Sequence, residues 1–319
     1  MNLGEEIKKE IFLKTVKERP LQIAFIAGII RSTGVLFEED GALGLYFTVT
    51  GEERAFKVAW YLERLFNYQV REIDVKEDRL NKKERFEISI SGNAAQEILS
   101  ELGIISLRNG EINVEYDFYG KIINDTETFR AFLRGLFVGS GSCTVPDEYS
   151  ATGTGYHLEL IFSHPITAES TALRLSEHGL NGKIIRRKES YVLYFKSAEA
   201  IKDFIAFLPA AKAVLKFTEV MVRKEFINDV NRKKNCDLGN VTRQVNASVK
   251  IIDAIETLKE KGRLEELKKD LYETAVKKLQ FPDDSYEELA ARLSVTKSCL
   301  NHRFRKIIET AAKAKEQRG

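Results

Sequence analysis

The feature that most constrains this chain is a repeat within itself. Residues 24–36 (AFIAGIIRSTGVL) and 131–143 (AFLRGLFVGSGSC) share the pattern A-F-[IL]-x-G-[IL]-[IF]-x-x-[ST]-G. Each reads as an apolar helix with small residues four apart, Ala24 and Gly28 in the first copy and Ala131, Gly135 and Gly139 in the second. Residues four apart lie on one helical face, and a face of small side chains lets two backbones approach closely. Gly34 and Gly141 are expected to end these helices in the left-handed conformation favoured at helix C-termini.

The repetition extends past the helices. After the first come an apolar run at 43–49, a helical segment at 52–66, strand-like runs at 69–75 and 85–91, and a helix at 94–102. After the second come 156–162, 167–178, 183–187, 191–196 and 199–207 in the same order. Period-2 and period-3.6 patterning gives αββαββ-like or αβαββα units, with strand, helix, strand, strand, helix expected after each repeated helix. Two ordinary α+β domains with glycine-containing helices are the plainer alternative, and recurrence of the whole element order argues against it.

A chain of 319 residues has room for two or three domains. The longest apolar stretch, 23–30, is far short of a membrane span, and the charged N-terminal segment lacks the layout of a secretory signal. A cytoplasmic location, with no membrane partner, is expected. The three cysteines, Cys143, Cys236 and Cys299, lie too far apart for a disulfide framework or a C-x-x-C pair and read as reduced thiols. The four histidines form no H-E-x-x-H or His/Cys cluster, so neither a metal nor a cofactor is expected. Fifty basic residues nearly cancel 48 acidic ones, so any nucleic-acid signal lies in how charge is distributed. From residue 296 onward seven bases face two acids, Glu309 and Glu316, making a basic C-terminal arm.

Beyond residue 211 the character becomes helical, with helices expected over 211–230, 245–261 and 264–279 and a polar end at Arg232 to Asn235. The strongest local signal is SYEELAARLSVTKSCLNHRFRKI, residues 285–307. Ser285 and Glu288 form a capping box before Leu289, Ala290 and Leu293. Ser294 and Val295 make a turn, and Thr296 caps a second helix whose Leu300, Phe304 and Ile307 face inward. Lys297, Ser298, Asn301, His302 and Arg305 then point elsewhere. In a helix-turn-helix the second helix enters the major groove. Lys297 and Asn301 suit base edges; Ser298, Arg303 and Arg305 suit phosphates, with Ser285, Thr296, His302 and Lys306 completing the candidate surface. Ser294 occupies a turn position that often holds glycine, and Arg303 one that is often apolar. A helical hairpin with a solvated basic face is the alternative.

The two repeats resemble the LAGLIDADG unit of homing endonucleases, in which paired signature helices form a pseudo-twofold axis and curved sheets face DNA. In active members each signature helix ends in an acid that holds divalent ions. Those positions are here Thr33 and Ser140, and the motif's other acidic position is Arg31 in one copy and Val138 in the other. A neutral hydroxyl is a poor ligand for Mg²⁺. Glu38, Glu39 and Asp40, and Asp147 and Glu148, follow the helices but read as loop acids, so no catalytic residue is expected. Arg186, Arg187, Lys188 and Lys196 either track DNA or form a solvated strand edge.

FLRGLFVGSGSCTVPDEY (132–149) with YHLEL (156–160), NRKKNCDLGN (231–240) and VTKSCLNHRFRKI (295–307) together resemble the WhiA family of bacterial transcriptional regulators. Asn231, Arg232, Asn235, Cys236 and Asn240 would then form a polar interdomain junction with buried amides. The resemblance implies an α+β fold: a degenerate two-repeat LAGLIDADG-like domain over 1–208 (repeats about 1–110 and 125–208), a helical tether over 209–240, and an all-α helix-turn-helix domain over 241–319. It implies a nucleoid-associated, non-enzymatic regulator of sporulation-type development or of cell division and chromosome segregation. Its partners would be double-stranded DNA and a protein of the transcription apparatus; the sequence assigns no oligomeric state. A protein-binding scaffold and an active nuclease are the rival readings.

Overall fold

A first helix, α1 (Leu3–Leu13), buries Leu3, Ile7 and Ile11 on one side. It leads to the first signature helix, α2 (Arg19–Thr33), whose Pro20 sits in the opening turn, where its missing N–H breaks no helical hydrogen bond. The computed structural model describes residues 3–14, 16–78, 83–118, 120–146 and 155–316. Contacts divide the chain into two units, Met1–Lys224 and Glu225–Gly319.

In the first unit α2 is followed by β1 (Val35–Glu39), β2 (Ala42–Thr50), α3 (Glu52–Phe66), β3 (Ile73–Asp78), β4 (Lys83–Ser91) and α4 (Asn93–Glu101). A small hairpin, β5 (Ile105–Arg108) with β6 (Glu111–Val114), precedes the second signature helix, α5 (Thr126–Ser140). The second copy continues with β7 (Ser142–Thr144), β8 (His157–Phe162), α6 (Pro165–Glu177), β9 (Lys183–Arg187), β10 (Ser190–Phe195) and α7 (Ala198–Phe207). The sheets are antiparallel with equivalent orders, β1-β2-β4-β3 and β7-β8-β10-β9. Alternation sets the faces: Leu45, Phe47 and Val49 are buried, as are Leu158, Leu160 and Phe162. Two buried-face stripes and two apolar helices make one core.

Each copy carries one strand more than expected, β1 and β7, directly after the signature helix. β7 has three residues and β1 ends in two acids, so neither presents a legible alternation. Glu38 and Glu39 therefore lie in a strand, paired with Leu43 and Ala42, rather than in a loop. Asp40 and Gly41, both at positive φ, make the two-residue turn between β1 and β2.

The glycines that close the signature helices are there for space. Gly34 and Gly141 are extended, with φ of −78° and −70°, and not left-handed as expected. A Cβ on Gly34 would lie 2.4 Å from Ile30 O, and one on Gly141 2.4 Å from the Phe137 ring.

The expected break after residue 230 does not occur. One helix, α8 (Ala211–Glu260), runs 50 residues from the first unit into the second. No proline interrupts it, and Gly239 alone costs only about 1 kcal/mol of helix propensity. It ends at Gly262, where φ is +65° and Arg263 N–H reaches back to Leu258 O. The second unit is completed by α9 (Lys269–Gln280), shorter than expected, α10 (Tyr286–Arg292) and α11 (Lys297–Glu316). Their core is Ile251, Ile255 and Leu258 of α8 with Ala275, Leu289, Leu300, Phe304 and Ile307. Among the described residues no helix is long and apolar enough to cross a membrane.

Candidate nucleic-acid interface

The signature helices meet backbone to backbone. A Cβ on Gly28 would fall 2.1 Å from Phe132 O, and one on Gly135 2.0 Å from Phe25 O, so each glycine receives the other helix's carbonyl. The small-residue spacing thus does what its periodicity implied. Arg134, one position before Gly135 and 8% exposed, donates to Ile11 O and Lys14 O and fastens the first helix to this pair.

At the ends of the helices the hydroxyls turn back on their own backbone. Thr33 Oγ1 donates to Ile29 O at 3.1 Å; Ser140 Oγ donates to Leu136 O at 3.4 Å and accepts from Ile161 N–H at 3.3 Å. Val138 is buried, and Arg31 donates through Nη1 to Glu115 O and through Nη2 to Gly103 O, both at 2.7 Å. This donor set does not fit a divalent ion: two hydroxyls are tied to helix carbonyls and a cation stands beside them. Among the described residues no group of three or more His, Cys, Asp or Glu is placed to hold a metal. Asp147 and Glu148 lie outside the described residues.

The four sheet bases have separate fates. Arg187 shares a face with Glu159, which it meets at 3.3 Å and which His157 also contacts at 3.0 Å. Arg186 donates to Lys188 O at the β9–β10 turn, where Lys188 has positive φ. Lys196 lies over the Tyr194 ring, its ammonium 5.2 Å from the centroid.

The second unit holds the helix-turn-helix. Ser285 Oγ accepts from Glu288 N–H and the Glu288 carboxylate accepts from Ser285 N–H, the expected capping box. The turn is tight because Ser294 adopts positive φ, with its N–H on Ala291 O and Val295 N–H on Ala290 O. Thr296 Oγ1 then accepts from Cys299 N–H and starts α11. Leu300, Phe304 and Ile307 are buried at spacings of four and three, and Tyr286 packs its ring 5.4 Å from that of Phe304.

The opposite face of α11 is open. Lys297, Ser298, Asn301, His302, Arg305 and Lys306 are exposed. Lys297 pairs with Glu287 of α10 at 2.8 Å, and this contact holds the Glu287 carboxyl below its ordinary range. Lys306 pairs with Glu309 at 3.1 Å. Ser298, Asn301, His302 and Arg305 make no hydrogen bond among the described residues. Arg303, expected at a phosphate, turns inward: its side chain is 17% exposed and its guanidinium reaches Thr274 Oγ1 at 3.2 Å and Asp270 O at 3.3 Å on α9. The sequence carried that signal, for Arg303 stands where an apolar residue is usual. Lys278, missed by sequence reasoning, is 1% exposed and donates to Pro282 O at 2.6 Å, closing the loop before α10.

The segment 231–240 departs from expectation. Asn231, Arg232, Asn235, Cys236 and Asn240 are exposed on α8 rather than buried in a junction. Their contacts run along the one helix, Arg232 to Asp229 at 3.2 Å and Asn240 to Arg243 at 3.0 Å. Of the cysteines only Cys143 is buried, and burial pushes its thiol up to about 12, leaving it protonated and unreactive.

Paired signature helices over two like sheets, followed by a capped helix-turn-helix, define a degenerate two-repeat LAGLIDADG-like protein with a helix-turn-helix domain. Three family models match in succession: the WhiA N-terminal LAGLIDADG-like domain at 19–105, the WhiA LAGLIDADG-like domain at 129–227, and the WhiA C-terminal HTH domain at 230–311. A probable cell division protein WhiA from Thermoanaerobacter pseudethanolicus is 32% identical over 100% of this chain and 99% of its own. One from Clostridium novyi is 31% identical over 99% of both. Full-length DUF199/WhiA from Thermatoga maritima superposes with a TM-score of 0.55 at 26% identity, covering 97% of each chain. The chain belongs to the WhiA family.

Proposed function

We propose that this chain is a non-catalytic, sequence-specific regulator of transcription that binds duplex DNA through α11 and serves cell division. The observation that carries this reading is the two-faced build of α11: an apolar seam fixes the helix, and Ser298, Asn301, His302 and Arg305 keep their polar groups unengaged. The second helix of such a motif lies in the major groove, its early residues at base edges. Asn301 has the paired donor and acceptor that match adenine, and Lys297, once released from Glu287, can reach guanine. Arg305 and Lys306 suit phosphates, with the Ser285 and Thr296 hydroxyls at the two helix starts, while Arg303 holds α11 on α9. The name of the relatives supports a role in cell division, and the resemblance extends it to chromosome segregation and sporulation-type development. We assign the LAGLIDADG-like domain to 1–208, a helical tether to 209–240 and the DNA-binding domain to 241–319, in a protein of the cytoplasm associated with the nucleoid.

The absence of catalysis rests on Thr33 and Ser140, whose hydroxyls are engaged by their own helices. A second reading, a scaffold for a protein partner in transcription, draws on the sheets, where the outward Arg187 is held by Glu159. The test is duplex binding by the full chain across a salt series. Affinity should fall steeply with salt, and Lys297→Ala with Asn301→Ala should remove sequence preference. Unchanged affinity and preference in that double variant would take recognition away from α11 and leave the scaffold reading standing.

A further inference from the structure

From 228 to 246 every residue of α8 except Gly239 is exposed. The composition of this stretch does not favour a lone helix. Five asparagines, five β-branched residues and Gly239 occupy eleven of the twenty positions from 227 to 246. A helix of such residues owes its stability to the packing of an apolar face.

Such a face is present. Ile227, Val230, Leu238, Val241, Val245, Val249 and Ile252, with Lys234 among them, follow one another at spacings of 3, 4, 4, 3, 4, 4 and 3. This is an eleven-residue repeat, and at about 3.67 residues per turn it nearly matches the helix itself, so the positions form one almost straight stripe. Val230, Leu238, Val241, Val245 and Val249 are 50% to 61% exposed. A continuous apolar stripe open to water marks an interaction surface.

The spacing reads the same in both directions. Its midpoint lies between Leu238 and Val241. A second copy running antiparallel about a twofold axis there sets Leu238 against Val241, Val230 against Val249 and Ile227 against Ile252. Lys234 alone meets an unlike residue, Val245. Val245 lies on a groove of about 580 Å³ between α8 and residues 282–288 of the same unit. Most charged groups on that groove are engaged: Lys297 holds Glu287 at 2.8 Å, Arg292 holds Asp284 at 2.6 Å, and Glu288 caps α10. Lys278 donates to Pro282 O, and Arg243 bonds back to Gly239 O at 3.1 Å. Asp283 lies in the field of Lys278 but has no hydrogen bond or ion pair among the described residues, and neither has Lys234. The antiparallel register brings Lys234 of one copy to the groove that holds Asp283 of the other. A parallel pair would set Lys234 against Lys234, a repulsive contact.

We propose that residues 227–252 of α8 form a dimerisation surface on which a second copy of this chain packs antiparallel. The stripe is about 38 Å long at 1.5 Å per residue, and pairing along it from both copies approaches the roughly 1,200 Å² at which specific interfaces begin. The inference does not rest on the DNA-binding reading.

The experiment is sedimentation equilibrium of the full chain over a concentration series. A reversible monomer–dimer equilibrium is expected. Leu238→Glu, at a position 61% exposed and therefore outside the core of the second unit, should weaken it by at least about tenfold by burying a charge at the axis. Lys234→Glu should also weaken it, and Lys234→Glu with Asp283→Lys should restore it, a rescue that a parallel pair cannot give. A monomer at every concentration, self-association untouched by Leu238→Glu, or no restoration in the charge-swapped double variant overturns the proposal.

Discussion

The end of the signature pair and the open face of α11 are made of the same kinds of residue and behave oppositely. Thr33 and Ser140 sit where two helices approach so closely that glycine backbones touch, and their hydroxyls bond the carbonyls four residues back. Ser298 and Asn301 sit on a helix whose other side alone is packed, and they have no partner among the described residues. Short polar side chains on a helix readily satisfy the local backbone. Polarity at a helix end therefore says little until it is known what the side chain already holds. The contrast separates a closely packed helix axis whose hydroxyls are already engaged from a surface with unused hydrogen-bonding capacity.

The harshest way to break this comparison is to force the axis apart. Gly28→Val puts a side chain where Phe132 O lies, and it should cost more than about 4 kcal/mol, read as loss of the first unit's cooperative thermal transition. A loss under about 1 kcal/mol would mean that the helices can separate and that the axis is not the fixed element described. Next, Phe304→Ala should remove about 3 to 5 kcal/mol from the second unit, measured as lost amide protection in α11, because Phe304 is a buried member of the seam that turns the polar face outward. The comparison is sharpened by Asn301→Ala, which should lower discrimination at one base pair by about 1 to 3 kcal/mol with melting unchanged. Arg305→Ala, at a residue assigned to a phosphate, should lower the slope of log affinity against log salt by about 1. Smallest should be Thr33→Ala or Ser140→Ala, each under about 1 kcal/mol in stability and silent in DNA affinity. A DNA-binding loss there would return the axis to the interface.

Much of the site was legible because its determinants are local. The Ser285–Glu288 box, the Thr296 cap and the 300/304/307 spacing lie within 23 residues and each depends on neighbours three or four positions away. Likewise α3 and β9 fall where their patterning placed them. What escaped depends on partners distant in sequence or on segments too short to have a period. Arg31 is fixed by carbonyls 72 and 84 residues away, and Arg303 by α9 about thirty residues upstream. The polar run at 231–240 read as a helix boundary, but exposed polar residues can continue a helix when no proline stops it.

The sequence by itself determined the two-copy architecture, the small-residue face of each signature helix, the missing acids at residues 33 and 140, and the capped helix-turn-helix, because each is a pattern of residue types at fixed short spacing. Only the tertiary structure decided that Gly34 and Gly141 serve close packing and not a left-handed turn. It also decided that a strand follows each signature helix, that residues 211–260 form one helix, and that Arg303 turns onto α9 while Ser298, Asn301, His302 and Arg305 remain open. These outcomes turn on which atoms from far along the chain occupy the space around a residue, and spacing along the sequence does not encode that.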